Sequence, residues 1–304
     1  MIKVALTSDL HVDYSAENRA LVPRLVESVL REAPDVLIIA GDLSSRLDDF
    51  GWTLQQFARI PSKKLVVAGN HDIWIESKAD IVNGRDSGAR YERLLAEIST
   101  KNDFKLLAKS PVIIGDVGFA GCMGWFDYSF RNKKFDESAS LEKYRAGKWQ
   151  HPTNGKSFMW NDMQNVWWLK DLSAKISGFS RGDLCLSDTD IAAKMAAALD
   201  SQLKQLDADH VGKIVAVTHF VPTRKLLHYR DTIPHDYFNA YHGSALIEGV
   251  ISSHANISHV LYGHSHLAKD EMIDGVRYLS RPVGYLGPGR IVEDAMTKLA
   301  IFEV

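Results

Sequence analysis

The 304-residue chain contains only two cysteines, Cys122 and Cys185, and neither sits in a Cys-x-x-Cys pair or at a zinc-like spacing. A disulfide framework is therefore not expected, and two buried thiols are. A surplus of one charge is also missing, since 36 Lys+Arg against 38 Asp+Glu leave a formal charge of −2. This removes the basic excess that usually marks nucleic-acid or anionic-membrane binders, although a local basic groove remains open. The longest apolar stretches, such as Val36 to Ala40, are strand-sized and far from the roughly 20 residues a membrane span needs. The opening Met1 to Leu6 runs directly into Thr7-Ser8-Asp9 without the basic, apolar and small-residue zones of a signal peptide. A cytoplasmic location is the expectation.

What is present is an ordinary globular composition, 45% hydrophobic and 24% charged. The length permits one or two domains at roughly 150 residues each. Five short apolar runs end abruptly in polar and glycine clusters, as buried strands do when they deliver functional groups at their C-terminal ends. Ile2 to Thr7 leads to Asp9-Leu10-His11, Val36 to Ala40 to Gly41-Asp42, and Leu65 to Ala68 to Gly69-Asn70-His71-Asp72. Ile214 to Val217 leads to Thr218-His219, and Val260 to Tyr262 to Gly263-His264-Ser265-His266. The five strands are expected to converge on one edge.

Leu21, Val22, Leu25, Val26, Val29 and Leu30 recur at helical spacing after Ser15, a suitable N-cap, so the chain opens as a βαβ unit. Leu54, Phe57 and Ile60 mark a second helix, and Tyr91, Leu94, Leu95 and Ile98 a third. Ile191 to Leu206 carries another, introduced by Ser187-Asp188-Thr189-Asp190 in capping-box form with Asp replacing the usual Glu or Gln. Near the end, Met272 to Ser280 reads as a hairpin turning at Asp274-Gly275, and Lys298 to Val304 as a terminal strand, which implies mixed sheets. Residues 125 to 185 break the alternation yet hold Trp125, Trp149, Trp160, Trp167 and Trp168. So aromatic a segment is expected to be an ordered insertion, serving as a satellite core, as a lid or substrate wall, or as both.

Each polar cluster taken singly has a plain explanation, because strand ends are solvated and Gly-Asn is good turn chemistry. Their joint occurrence points elsewhere. Five blocks in order, each after an apolar run, supply two carboxylates, one amide and four imidazoles as candidate metal ligands. Mixed oxygen and nitrogen donors suit Mn²⁺, Fe or Zn²⁺ better than a Ca²⁺ site or a thiolate cluster.

In Asp9-x-His11, Gly41-Asp42, Gly69-Asn70-His71-Asp72, His219 and Gly263-His264-Ser265-His266, the sequence resembles the calcineurin-like metallophosphoesterase superfamily. The resemblance covers residues 1 to 121 and 211 to 304, with no ligand substituted. It implies an α/β fold, a four-layer α-β-β-α sandwich with two mixed sheets, and says little about residues 125 to 185; joined to the aromatic reading of that segment, the expectation is one domain over residues 1–304 with an aromatic-rich insertion or lid at about 125–185. It implies a dinuclear centre in which Asp9, His11 and His266 hold one metal, Asn70, His219 and His264 the other, and Asp42 bridges both. It further implies that His71 is catalytic, contacting phosphate oxygens or protonating the leaving alcohol, with Asp72 orienting its imidazole.

The function so implied is hydrolysis of a phosphate ester by metal-activated water attacking phosphorus in line, without a covalent enzyme intermediate. The aromatic insertion could wall a larger substrate, which favours phosphodiesters over monoesters, with a phosphomonoesterase or protein or nucleotide phosphatase as the alternative. No clear nucleic-acid signature supports a nuclease, and an intact ligand set argues against a noncatalytic interaction module. Arg224, Lys225, His228, Tyr229, Arg230, His235 and Tyr237 could border the pocket and supply positive charge. His151, His210, His242, His254 and His259 are expected at the surface or behind the ligands, and Ser280 to Tyr285 is given no substrate contact. The oligomeric state is not legible.

Overall fold

Side-chain alternation in the first strand decides the layering. In β1 (Lys3–Thr7), Val4 and Leu6 join an apolar cluster with Phe119, Val215, Val217 and Leu261, whereas Ala5 joins the cluster containing Leu21, Leu25 and Val29 of the helix Ala16–Glu32. One face of the strand thus meets a second sheet and the other meets helices. The computed structural model describes residues 1–150, 157–171 and 181–304.

The strands are β1, β2 (Val36–Ala40), β3 (Lys63–Val67), β4 (Lys105–Leu106), β5 (Val112–Ile114), β6 (Val117–Gly121), β7 (Lys148–Gln150), β8 (Ser157–Met159), β9 (Lys213–Val217), β10 (Ile257–Tyr262), β11 (Lys269–Ile273), β12 (Val276–Ser280) and β13 (Ala300–Glu303). The first sheet has the order β13-β1-β2-β3-β4, parallel except for β13. The second has the order β11-β12-β10-β9-β6-β5, parallel in the middle and antiparallel at both edges. Both are mixed, and β2, covered on both faces, is buried along its whole length. The result is the expected α-β-β-α layering.

The helix starts follow from local chemistry. Ser15 Oγ accepts the Asn18 N–H at 3.1 Å, and Ser187 and Asp190 close a reciprocal capping box at the start of the helix Asp188–Ala208. The hairpin β11–β12 turns through Asp274 and Gly275, both at positive φ (51° and 83°), as a tight two-residue turn requires.

The insertion is tied to the body by rings and by a buried carboxylate. Trp125 Nε1 and Tyr128 OH both donate to Asp188, at the first turn of the long helix. Trp125, Tyr144, Trp149 and Trp168 are buried, so part of the segment is a satellite core. Tyr241 stacks on Trp160 at 4.9 Å, which carries this aromatic packing toward the strand ends.

No helix among the described residues is long and apolar enough to cross a membrane. Cys122 and Cys185 are free and buried, and burial pushes their thiols up to about 12 and about 11. Little thiolate forms near neutral pH, and access is closed. Ellman's reagent should therefore titrate neither cysteine in the native protein and both after guanidinium unfolding; rapid labelling of the native form would contradict this packing.

Candidate metal centre and its cleft

The five apolar runs become β1, β2, β3, β9 and β10, and their C-terminal ends meet across the two sheets. The chain must then turn sharply to aim side chains into one small volume. Asp9, His11, Asp42, His264 and His266 accordingly lie at positive φ, between 43° and 67°. Asp and His tolerate this left-handed region better than most residues, at a cost of about 1 kcal/mol each.

Two groups of donors result. Asp9, His11, Asp42 and His266 form one and Asp42, His219 and His264 the other, with the donor atoms of each group within 4.8 Å of one another. Asp42 belongs to both. Its Oδ2 lies 3.2 Å from His219 Nε2 and 3.5 Å from His11 Nε2. Asn70 Oδ1 adds a neutral oxygen, 3.1 Å from His219 Nε2 and 3.1 Å from His264 Nδ1.

Hydrogen bonds behind the donors suit cation binding. His219 Nδ1 donates to the Ala40 carbonyl at 2.8 Å and His264 Nε2 to the Tyr241 carbonyl at 3.3 Å, so in each ring the other nitrogen is the one turned to the cluster. In the first group the two Nε2 atoms of His11 and His266 approach to 3.0 Å. Such convergence of lone-pair donors and buried carboxylates fits divalent cations.

The electrostatics agree. Burial alone would raise the Asp42 carboxyl, but the nearby imidazoles of His219 and His71, with the His219 hydrogen bond, hold it well below the usual carboxylate range. Burial likewise opposes ionisation of Asp9, and the His266 contact outweighs it. His219, despite burial, is raised to about 9 by Asp42, whereas burial takes His11 down to about 3. Protons on imidazoles thus supply positive charge where cations would.

Asp72, expected from the resemblance to orient the His71 imidazole, is engaged by backbone amides. Its carboxylate accepts the backbone N–H groups of Asp42 (3.0 Å), Leu43 (2.8 Å), Ser44 (3.0 Å) and Gly69 (2.7 Å). Burial and the Asp42 charge push it up to about 7. Asp72 therefore shapes the loop that carries Asp42, its oxygens accepting from backbone amides. The His71 ring stacks on Trp74, with centroids 3.7 Å apart, and its Nε2 lies 3.1 Å from the Tyr285 hydroxyl.

A cavity of about 410 Å³ opens beside the donors. Trp74, Met159, Trp160, Phe238 and Tyr285 give it an apolar wall, with Asn70, His71, Asn161, Asp162 and His242 also present and, among the described residues, no Lys or Arg in the lining. None of Arg224, Lys225, His228, Tyr229, Arg230, His235 and Tyr237 lines it; the helix His235–Asn239 contributes Phe238 instead. Tyr285, given no contact from sequence, reaches it. His242 stands behind His264, His254 lies between Asp200 and Asp207, His259 stacks on Phe302, and His210 is exposed. His151 lies outside the described residues.

Sequence reasoning missed Trp74, Asp162 and Tyr285. Asp162 is buried and accepts from Asn70 Nδ2 (2.9 Å), Trp74 Nε1 (2.6 Å) and Trp160 Nε1 (2.7 Å). Burial pushes its carboxyl up, against the pull of those donors. The Trp-rich insertion was the one available signal.

The glycines before the donors are fixed by close approach. A Cβ on Gly69 would strike the Asp42 carboxylate and lie 2.5 Å from its backbone nitrogen, and one on Gly41 would lie 2.5 Å from His219 Nδ1. Gly69→Ala should cost about 3 kcal/mol of stability by overpacking. It should also weaken cation binding, and urea denaturation with a Mn²⁺ titration would expose an unchanged protein.

Comparison with known proteins gives a family. The model of the calcineurin-like phosphoesterases matches residues 2–268. The [acyl-carrier-protein] phosphodiesterase PptH of Mycobacterium tuberculosis is 24% identical over 286 residues, covering 91% of this chain and 76% of that protein. A crystal structure of phosphopantetheinyl hydrolase PptH from the same organism superposes with a TM-score of 0.65 at 22% identity, over 93% of this chain and 89% of that one. The TT1561 protein of Thermus thermophilus follows with a TM-score of 0.52 at 13% identity, over 99% and 98%. With its family model spanning most of the chain and its donors gathered at the strand ends, the protein belongs to the calcineurin-like phosphoesterases and is a metal-dependent hydrolase of phosphoesters.

Proposed function

We propose that this chain is a phosphodiesterase whose substrate carries one long uncharged arm, of the phosphopantetheinyl kind named for the mycobacterial relative. The observation that carries this is the cavity wall. Beside the donor cluster lie an indole pair, a phenyl ring, a thioether and a phenol, and among the described residues no Lys or Arg to pair with a second phosphate. Amide groups on such an arm could bond Asn161 and Ser265, while its aliphatic parts pack on Trp160 and Phe238. A polyphosphate or nucleotide would find no Lys or Arg there among the described residues.

Asp9, His11 and His266 would hold one cation, Asn70, His219 and His264 the other, and Asp42 both, with Mn²⁺, Fe or Zn²⁺ matching the donors. When bound, the cations supply the charge that deprotonates a water and draws in the phosphoryl oxygens. The remaining work falls to side chains. His71, braced by Trp74 and Tyr285, delivers a proton to the leaving alcohol oxygen. The apolar wall keeps bulk water from that oxygen. We read residues 1–304 as one catalytic domain with 125–185 as the insertion that completes the cleft, and the free thiols are compatible with work in the cytoplasm.

Metal-loaded protein should hydrolyse bis-p-nitrophenyl phosphate with a kcat/KM at least tenfold above that for p-nitrophenyl phosphate, and should release phosphopantetheine from a modified carrier-protein serine. A reversed ratio of the chromogenic substrates would overturn the diesterase reading.

Replacement of the side chains separates their roles. Asp42→Ala or His264→Ala should lose bound metal, measured by atomic emission after gel filtration. His71→Ala should keep both metals and lower kcat by about 10²- to 10⁴-fold. Equal metal loss in all three would remove the distinct role given to His71.

A further inference from the structure

Asn70 faces a choice that its own side chain does not settle, because an amide can present either oxygen or nitrogen to a cluster of imidazoles. The deciding partner is Asp162, which comes from the insertion, is buried, and as a carboxylate only accepts. With Nδ2 committed to Asp162 at 2.9 Å, Oδ1 faces His219 and His264 at 3.1 Å each. The same Asp162 Oδ1 takes the indole N–H of Trp74, which stacks on His71, and Oδ2 takes that of Trp160 in the cavity wall.

We propose that Asp162 is a positioning residue that locks the Asn70 amide oxygen toward the cation held with His219 and His264, and so links the insertion to the metal centre. The proposal rests on reading Asn70 as a cation ligand. A carboxylate behind the amide also polarises it, making the neutral oxygen a stronger donor. Partners behind a metal ligand are commonly worth 10- to 100-fold in metal affinity. The Asp162→Asn change would offer one acceptor oxygen and an NH₂ group, so at least one of the three donors would face a donor. Asp162→Leu would offer no acceptor.

The test is calorimetric titration of the metal-free full-length protein with Mn²⁺, alongside thermal melting of the same samples. Wild type should bind two equivalents; one or none would sink the reading of Asn70 and the dinuclear site rather than Asp162 alone. Given two, Asp162→Leu should weaken one equivalent at least tenfold and leave the other within twofold. Asp162→Asn should weaken the same equivalent by a smaller factor, at least threefold. A purely structural role would lower the melting temperature and affect both equivalents alike. If Asp162→Leu fails to fold, Asp162→Asn is the decisive variant. Any folded variant that binds both equivalents within twofold of wild type, or loses both equally, overturns the proposal.

Discussion

The centre depends on a carboxylate that cannot be left alone. Asp42 is fully removed from water, as is Asp9, and burying ionised groups without compensation costs several kcal/mol each. The fold answers by bringing imidazoles from the strand ends around them and by accepting left-handed backbone at five donor residues. That strain is tolerable only because each turn is overdetermined: Asp9 N–H donates to the Gly41 carbonyl, His11 N–H to the Asp42 carbonyl, and Gly284 N–H to the Asp9 carbonyl. Asp72 completes the device by gathering four amides from the loops beside Asp42. Without a centre able to hold positive charge, this arrangement would be a net liability for stability.

The strand-end blocks were legible in sequence because each is local. An apolar run followed at once by glycine and a donor fixes the end of a strand and the nature of its cargo, with no knowledge of the rest of the chain. Ser15, Ser187 and Asp274-Gly275 were readable for the same reason, since caps and tight turns are short-range chemistry. Asp72 shows the limit. Its place beside His71 in sequence suggested a pair, but 3₁₀ geometry over His71–Ile73 turns the carboxylate toward the Asp42 loop. Adjacency in the chain did not survive the turn.

Of the insertion, whose residues 151–156 and 172–180 lie outside the described ones, the aromatic character was legible and no more. Which of its rings would form core and which would face the cleft depends on contacts between residues far apart in the chain, such as Trp74 with Asp162 and Trp125 with Asp188. Nothing in local periodicity encodes these. The same holds for Tyr285, which meets His71 only because the Val283 and Gly284 amides bond back to Ser8 and Asp9 at the end of β1. The basic stretch after His219 erred in the other direction. Its charges suggested phosphate contacts, yet Lys225 pairs with Asp274 and Arg224 packs over Tyr229, away from the cavity lining.

An uncharged wall beside a charged centre has its own consequence. Low local polarity strengthens each interaction of the donors with a phosphoryl group, because less solvent is present to screen it. It also gives weight to the centre's own surplus charge, since among the described residues no Lys or Arg lines the cavity to share the task. On the proposed reading, a third acid in direct contact with the cations would reduce that surplus, whereas Asn70 would add an oxygen donor without adding charge. Asp162, one residue further out, can polarise the amide while remaining behind it. Its charge is also shared with two indole N–H groups, so on the proposed reading it would tune the ligand more than neutralise the site. On that reading the placement of an amide between carboxylate and cluster would reconcile two needs, a strong oxygen donor and an undiminished attraction for phosphate.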